Sequence, residues 1–219
     1  MTEQAFDIES RKPAIHRTVT VLVLIVLGVM FLAYNKYTKP RVLSEAELQD
    51  RGALLFERSR VVQPFEMLDK NGKAVGNSFL EGRWTIMFFG FTQCPDVCPT
   101  TLATLNKIYD KLSPIEQRNF QVVLLSLDPL RDTPDKLQPY MDYFNSEFQA
   151  LTATDENTIA RVARNFNIAH MKQTLGDSYT IDHSSHLALI NPRGHYQGLI
   201  KPPFDIQKTV EVLRSIQHL

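Results

Sequence analysis

The residue types with the clearest chemistry are Cys94 and Cys98, the two cysteines of this 219-residue chain. Three intervening residues allow their sulfur atoms to face each other, either to close a disulfide or to hold one ion. Thiolates are soft ligands that select Cu(I) and also suit Zn²⁺. A disulfide framework would need more cysteines. We therefore interpret the pair as a redox pair or a soft-metal pair, in preference to two unrelated buried thiols.

The cysteines lie in residues 90–99, between a continuous apolar run and a helical pattern. Pro99 suits the first position of a helix, where proline is favoured, so we expect the helix to begin there with Cys98 as its cap. Cys94 would then lie on the preceding loop. The N–H groups and dipole of the helix would favour a thiolate at the cap.

Two sulfur atoms leave room for a third ligand, and the sequence has six histidines. His16 lies beside an apolar stretch and His218 near the C-terminal end, where solvated side chains are expected. His183 and His186 flank two serines just before a predicted strand at residues 187–190. A loop that enters a strand can lie opposite the cysteine loop, so either histidine is a candidate. Spacing does not choose between them.

The strands and helices that must position these residues follow residue 60. Asn71-Gly72 predicts a hairpin, and beyond it predicted strands and helices alternate along the chain. Strands are predicted at residues 84–89, 120–127, 187–190 and 195–200, and helices at residues 99–112, 135–144, 155–166 and 205–217. The alternation predicts an α/β domain with a central mixed, mostly parallel sheet. A β-α-β unit followed later by a hairpin and a helix is the thioredoxin-like order.

Residues 18–35 carry no charged side chain and would span roughly 27 Å as a helix, just enough for a bilayer core. A cleaved signal peptide would have a shorter apolar run and a clear cleavage site, so we predict a transmembrane anchor. Basic residues flank both ends, and the positive-inside rule therefore does not decide its orientation.

The anchor divides the chain into four predicted parts. Residues 1–17 form a polar tail, residues 18–35 the anchor, residues 36–60 a linker with one short helix, and residues 61–219 the folded domain. The formal net charge of +0 gives no electrostatic reason to expect a nucleic-acid partner.

Three segments resemble the Sco/SenC family, in the family's order. Residues 90–102, G-F-T-Q-C-P-D-V-C-P-T-T-L, resemble the signature around its C-x-x-x-C. Residues 126–134, S-L-D-P-L-R-D-T-P, resemble its second block, and residues 179–184, Y-T-I-D-H-S, resemble the third, where an Asp-His pair carries the metal-binding histidine. Gln93 departs from the pattern, since many members carry histidine there.

The resemblance implies that copper, as Cu(I) and also as Cu(II), is bound by Cys94, Cys98 and His183. His186 becomes a nearby extra histidine. Asp128 and Asp182 are candidates to orient a ligand, or equally to cap a turn. The resemblance also implies delivery of copper to, or thiol reduction at, the dinuclear copper site of cytochrome c oxidase. The expected partners are its copper-site subunit and other copper chaperones or thiol reductants.

This interpretation makes the chain a carrier rather than an enzyme. The alternative is a membrane-anchored thiol–disulfide oxidoreductase that uses the same cysteines and does not need His183. A third hypothesis is a peroxide-reducing enzyme with no metal requirement. By analogy with the family, we expect the soluble domain outside the cytoplasm, at a bacterial inner membrane facing the periplasm in preference to a mitochondrial inner membrane. An oxidising compartment also suits a reversible cysteine pair.

Overall fold

The computed structural model describes residues 12–38 and 41–219. Contacts divide the chain into two units, residues 1–41 and residues 42–219. The first unit contains helix α1, Lys12–Thr38. Most of the predicted polar tail, residues 1–11, lies outside the described residues, and α1 begins within the remainder.

Helix α1 matches the predicted anchor. Its segment His16–Tyr34 has 19 residues and a mean hydropathy of 2.2, and among the described residues it is the one helix long and apolar enough to cross a membrane. Its large apolar side chains are exposed, as Leu32 is at 68%. The apolar helix is therefore confirmed, and its insertion in a membrane stays a prediction.

The second unit contains six α-helices, one short 3₁₀ helix (Asn77–Leu80) and ten strands among its described residues. The helices are α2 (Glu45–Asp50), α3 (Val97–Asp110), α4 (Pro114–Arg118), α5 (Pro134–Phe144), α6 (Glu156–Asn165) and α7 (Ile206–Ile216). The strands are β1 (Ala53–Val61), β2 (Met67–Asp69), β3 (Ala74–Val75), β4 (Trp84–Gly90), β5 (Phe120–Ser126), β6 (Gln149–Thr152), β7 (His170–Leu175), β8 (Ser178–His183), β9 (Leu187–Ile190) and β10 (His195–Ile200). The predicted strands and helices are all present, with ends shifted by at most two residues.

Eight strands form one mixed sheet in the order β1-β10-β9-β4-β5-β6-β2-β3. Only β4, β5 and β6 are parallel to one another, and each remaining pair in the sheet is antiparallel. The mixed sheet is confirmed, but the expectation of a mostly parallel one is wrong. Parallel neighbours need a helical crossover, and the chain makes only two of these between adjacent strands, through α3–α4 and through α5.

The central strands are buried on both faces, as their continuous apolar sequences predict. Successive side chains alternate between the faces. Phe88 and Leu124 join a core beneath α3, α5 and α7, whereas Phe89 and Leu125 join a second core with α6. The two cores fix β4, and with it the start of the cysteine loop.

The predicted linker, residues 36–60, is wrong from Val42 onward, which is most of its length. Strand β1, Ala53–Val61, pairs with β10 and forms one edge of the sheet. Leu43, Leu48 and Ala53 are buried in the same core as β4. The folded unit therefore begins at Val42 rather than at residue 61.

Strands β7 and β8 form a separate two-stranded sheet that the sequence analysis missed. Gly176 begins the two-residue turn between them with a φ of 58°, a conformation that glycine adopts without strain. Gly176-Asp177 between two runs of β-forming residues was the available signal. This hairpin ends at His183.

Candidate metal centre

Gly90 ends β4 immediately before the cysteine loop. A Cβ atom built on it would lie 2.8 Å from Cys98 Sγ and 2.9 Å from the Phe88 ring. Only glycine leaves space for the buried sulfur at this point. The Leu127 N–H donates to the Gly90 carbonyl at 2.8 Å, which extends the pairing of β4 with β5 up to the loop.

Helix α3 begins at Val97, two residues before the predicted start, and Asp96 is its N-cap residue. Pro99 occupies the third helical position. The N–H groups of the first turn have no partner within a helix, so proline removes no helical hydrogen bond there. The prediction of Cys98 as the cap is therefore wrong, because Cys98 is the second residue of the helix.

The two thiols are free and differ in exposure. Cys98 is 1% exposed, whereas Cys94 is half-buried. Burial, and next the hydrogen bond with Cys94, raise the pKa of the Cys98 thiol far above its ordinary value. Desolvation of Cys98 thus opposes the thiolate that the helix dipole would favour at this position. The Cys98 N–H donates to Cys94 Sγ at 3.4 Å.

His183 lies at the end of β8, on the side of the hairpin that meets the cysteine loop. Its ring packs edge-on against Phe91, with 6.4 Å between the ring centroids, and it lines a cavity together with Val97 and Thr101 of α3. His183 Nδ1 lies 2.8 Å from the Ser184 carbonyl and so donates to it. Nε2 is left as the nitrogen that can ligate a metal.

His186 is turned away from this site. Its Nε2 lies 3.2 Å from the Phe166 carbonyl, and its ring packs against Phe89 in the second core, with centroids 6.4 Å apart. Burial lowers the pKa of His186. The fold therefore places His183, and not His186, beside the cysteine loop.

The structure places Cys94, Cys98 and His183 around Phe91 without joining them at one point. The Cys94 N–H donates to the Phe91 carbonyl at 3.3 Å, and the Phe91 ring faces His183. Within the described ranges, no group of three His, Cys, Asp or Glu side chains is close enough to hold one ion. The three-ligand set therefore stays a prediction.

Among the described residues, Asp128 makes no hydrogen bond to the cysteines or to His183. Its fully buried carboxylate accepts hydrogen bonds from the Arg131 guanidinium and from the Tyr179 hydroxyl at 2.8 Å. Arg131 in turn donates to Gln93 at 3.3 Å and stacks 3.7 Å from the centre of the Tyr179 ring. We call Asp128, Arg131 and Tyr179 the clasp. It joins the hairpin that carries His183 to the cysteine loop.

Asp182 lies on the exposed face of β8, opposite in strand alternation to His183. Its carboxylate accepts a hydrogen bond from the Gln173 amide across the hairpin. The expectation that Asp182 orients a ligand is therefore not supported by its contacts, which stabilise the hairpin instead.

Asp132 is a site residue that the sequence analysis did not single out. Its buried carboxylate accepts from the Thr92 N–H at 3.0 Å, from the Thr92 hydroxyl at 2.5 Å and from the Ser126 hydroxyl at 2.6 Å. Burial raises its pKa. Asp132 thereby fixes the cysteine loop to the end of β5. Its position soon after a buried strand was the signal that could have indicated this role.

Comparison with known proteins gives consistent results. The sequence model of the SCO1/SenC family matches residues 55–218. A protein of Stutzerimonas stutzeri that is described as copper-binding is 36% identical over 173 residues, which cover 78% of this chain and 84% of that protein. The mitochondrial SCO1 homolog 1 of Arabidopsis thaliana is 37% identical over 157 residues, which cover 71% of this chain and 47% of that protein.

Two solved structures are similar over most of the folded unit. ScoI of Arabidopsis thaliana with copper bound is 31% identical, with a TM-score of 0.66, and the match covers 73% of this chain and 99% of that one. ScoI of Bradyrhizobium japonicum with copper bound is also 31% identical, with a TM-score of 0.62, and the match covers 72% and 98%. The thioredoxin-like fold expected from the sequence is confirmed.

Proposed function

This chain belongs to the SCO1/SenC family, and we propose on that premise that it carries copper bound by Cys94, Cys98 and His183. The observation that supports this most is the position of His183, which reaches the cysteine loop from a separate hairpin and keeps Nε2 free. Solved relatives at 31% identity contain copper.

The donor set suits the proposed cargo. Two thiolates and one imidazole are soft to intermediate ligands, and Cu(I) accepts both types. Both cysteines must be reduced, because a disulfide offers no thiolate. Copper must also displace the proton of Cys98, whose pKa is raised by burial. Loading therefore depends on redox state and becomes more favourable as the pH rises.

The site lies where a partner can reach it. Cys94 and His183 are both partly exposed, and His183 borders open cavities on two sides. Ligands from a partner protein can therefore approach the ion and replace those of the carrier one at a time. No chemical turnover is needed, which favours a carrier over an enzyme.

We propose that the recipient is the dinuclear copper site of cytochrome c oxidase, in its copper-site subunit, and that other copper chaperones or thiol reductants load or reduce the carrier. In this proposal α1 crosses a membrane and the folded unit works outside the cytoplasm, at a bacterial inner membrane facing the periplasm. The apolar helix and the family support this arrangement.

A second function is favoured by the unequal exposure of the cysteines. In a thiol–disulfide oxidoreductase, the half-buried Cys94 would attack a partner disulfide and release one partner thiol. Cys98 would then attack the Cys94 sulfur, close the Cys94–Cys98 disulfide and release the second partner thiol. The partner gains the two electrons that the cysteine pair loses. His183 has no necessary part in this sequence.

The test compares copper retention with thiol chemistry in the reduced full chain, purified in detergent. Four proteins are loaded with Cu(I) and dialysed: wild type, the Cys94→Ser/Cys98→Ser double variant, His183→Ala and His186→Ala. If the chain is a carrier, we expect one copper ion per chain in wild type and in the control His186→Ala. Copper should be lost from the double variant and strongly weakened in His183→Ala.

The opposite pattern would promote the second function. If wild type retains no copper but reduces a disulfide substrate, and His183→Ala does so equally well, the carrier proposal is overturned. Peroxide turnover by metal-free wild type would instead support the peroxide-reducing hypothesis.

A further inference from the structure

We propose that His170 is a further copper ligand, which pairs with His183 to bind the cupric form of the ion. This inference rests on the proposed copper function and assigns a fourth protein ligand to it. His170 lies outside the three segments that resemble the family.

The register of the hairpin brings the two imidazoles together. His170 of β7 and His183 of β8 are direct cross-strand partners. Side chains at such positions lie on the same face, with their Cβ atoms about 4.5–5.5 Å apart. Both line one surface cavity of about 390 Å³. Two imidazoles at this separation can reach a common ion.

The backbone around the pair is tied down beyond the hairpin. The Ser184 N–H donates to the Ala169 carbonyl at 3.0 Å, and the Ala169 N–H donates to the Ser184 hydroxyl at 3.2 Å. These two bonds continue the strand pairing past His170 and His183. The spacing of the histidines is therefore set by the fold rather than by their own side-chain freedom.

The His183 ring also has the arrangement typical of metal-binding histidines, in which one nitrogen is held by a backbone carbonyl. His183 donates from Nδ1 to the Ser184 carbonyl at 2.8 Å. The His183 ring thus keeps Nε2 for a metal.

The chemistry of copper gives His170 a selective role. Two thiolates and one imidazole suffice for Cu(I), whereas Cu(II) favours tetragonal sites with nitrogen and oxygen ligands. A second imidazole beside His183 would complete four protein ligands with Cys94 and Cys98. We therefore expect His170 to support the cupric state and to contribute little to Cu(I) binding.

The experiment uses the full chain in detergent, with its histidines labelled with ¹⁵N. Both cysteines are reduced first, and the protein is then loaded with Cu(II). Pulsed electron paramagnetic resonance counts the imidazoles on the ion. Wild type should show two, His170→Gln one, and the control His195→Gln two, since His195 lies in β10 away from the hairpin. Cu(II) affinity should fall in His170→Gln by about tenfold or more, because even the loss of an outer hydrogen-bonding partner costs about 10–100-fold. Cu(I) affinity should not change.

Other results overturn the inference in distinguishable ways. A single imidazole in wild type, unchanged in His170→Gln, would remove His170 from the site and leave the carrier proposal intact. If the chain binds Cu(I) but not Cu(II), the role of His170 is likewise overturned and the carrier proposal is left intact. Absence of copper in any form would overturn both proposals. His170→Phe, which suits a β-strand, repeats the test if the glutamine variant does not fold.

Discussion

Cys94 and Cys98 are four positions apart but lie in different environments. Cys94 is half-buried on the loop, and Cys98 is 1% exposed within the first turn of α3. A thiol that is both buried and protonated reacts slowly with alkylating reagents, since the thiolate is the nucleophile. We predict that iodoacetamide modifies Cys94 of the apoprotein first at neutral pH, as read by peptide mass spectrometry. Equal rates at the two thiols would contradict the placement of Cys98 in the core.

The burial of His186 leads us to predict that the free energy of unfolding depends on pH. Burial lowers its pKa in the folded state below the ordinary value of 6.5. The unfolded chain therefore binds this proton more readily, and stability is lost as the pH falls below 6.5 and through the folded-state pKa. His186→Gln removes the titration while an amide N–H can still reach the Phe166 carbonyl.

The measurement is urea unfolding of residues 42–219 between pH 5 and pH 7.5, followed by the fluorescence of Trp84, the one tryptophan of the sequence. The decline in unfolding free energy with falling pH should be smaller in His186→Gln than in wild type. Identical slopes would show that His186 does not titrate differently on folding.

For individual residues, the sequence was enough to identify the two cysteines as functional but not to predict their burial. Spacing and residue type were enough to select Cys94 and Cys98, and the resemblance selected His183. Burial of Cys98 could not be predicted, because it depends on Gly90 and on the position of α3 over the sheet. The contacts of Asp128 with Tyr179 span 51 residues of sequence and likewise require the fold.

Among the elements, the β7–β8 hairpin depends on the clasp for its attachment near the cysteine loop. Tyr179→Phe removes one hydrogen bond to the buried carboxylate of Asp128 and keeps the ring over Arg131. Hydrogen bonds to charged groups contribute about 1.5–3 kcal/mol, so we predict a loss of that order in the free energy of unfolding. Amide exchange in the hairpin should also become faster. Tyr143→Phe, at an 84% exposed position, is the matched control.

A more severe change tests the same contact. Arg131→Met leaves the Asp128 carboxylate buried without its cationic partner, and breaking a buried ion pair in this way costs about 3–5 kcal/mol. In denaturation experiments, the free energy of unfolding should be lowest for Arg131→Met, higher for Tyr179→Phe and highest for Tyr143→Phe. If the two clasp variants were as stable as the control, the clasp would have no role in holding the hairpin.

Elements with strong local patterns were predicted well, and those defined by pairing were not. Strands β4 and β5 are continuous apolar runs, and Asp205 caps α7 through the Lys208 N–H at 2.8 Å, as its sequence indicated. Strand β1 contains Glu57, Arg58 and Arg60, so composition alone suggested a linker. Its place in the sheet comes from pairing with β10, far along the chain.

For the whole molecule, the corrected boundary of the folded unit makes a direct prediction. A chain that begins at residue 42 keeps β1 and the buried side chains of Leu43, Leu48 and Ala53. It should unfold cooperatively. A chain that begins at residue 61 loses an edge strand and these three apolar side chains, each of which contributes on the order of 1 kcal/mol or more when buried. We expect it to be insoluble or to unfold without a clear transition, and circular dichroism on heating would distinguish the two.

The fold class followed from the alternation of strands and helices, but the direction of the outer strands did not. Periodicity reports whether a strand is buried and says nothing of its neighbours. Because β9 is antiparallel to β4, the loop that follows His183 and leads into β9 lies at the same end of the strands as the C-terminal end of β4. This topology, rather than any local motif, brings the hairpin to the cysteine loop.

The central claim is that two sulfur atoms and one histidine nitrogen bind copper in this chain. X-ray absorption spectroscopy of the Cu(I)-loaded full chain measures this ligand set directly. We predict two sulfur neighbours and one imidazole nitrogen, with the nitrogen lost in His183→Ala and retained in His186→Ala. A site with sulfur neighbours alone in wild type, unchanged in His183→Ala, would contradict it.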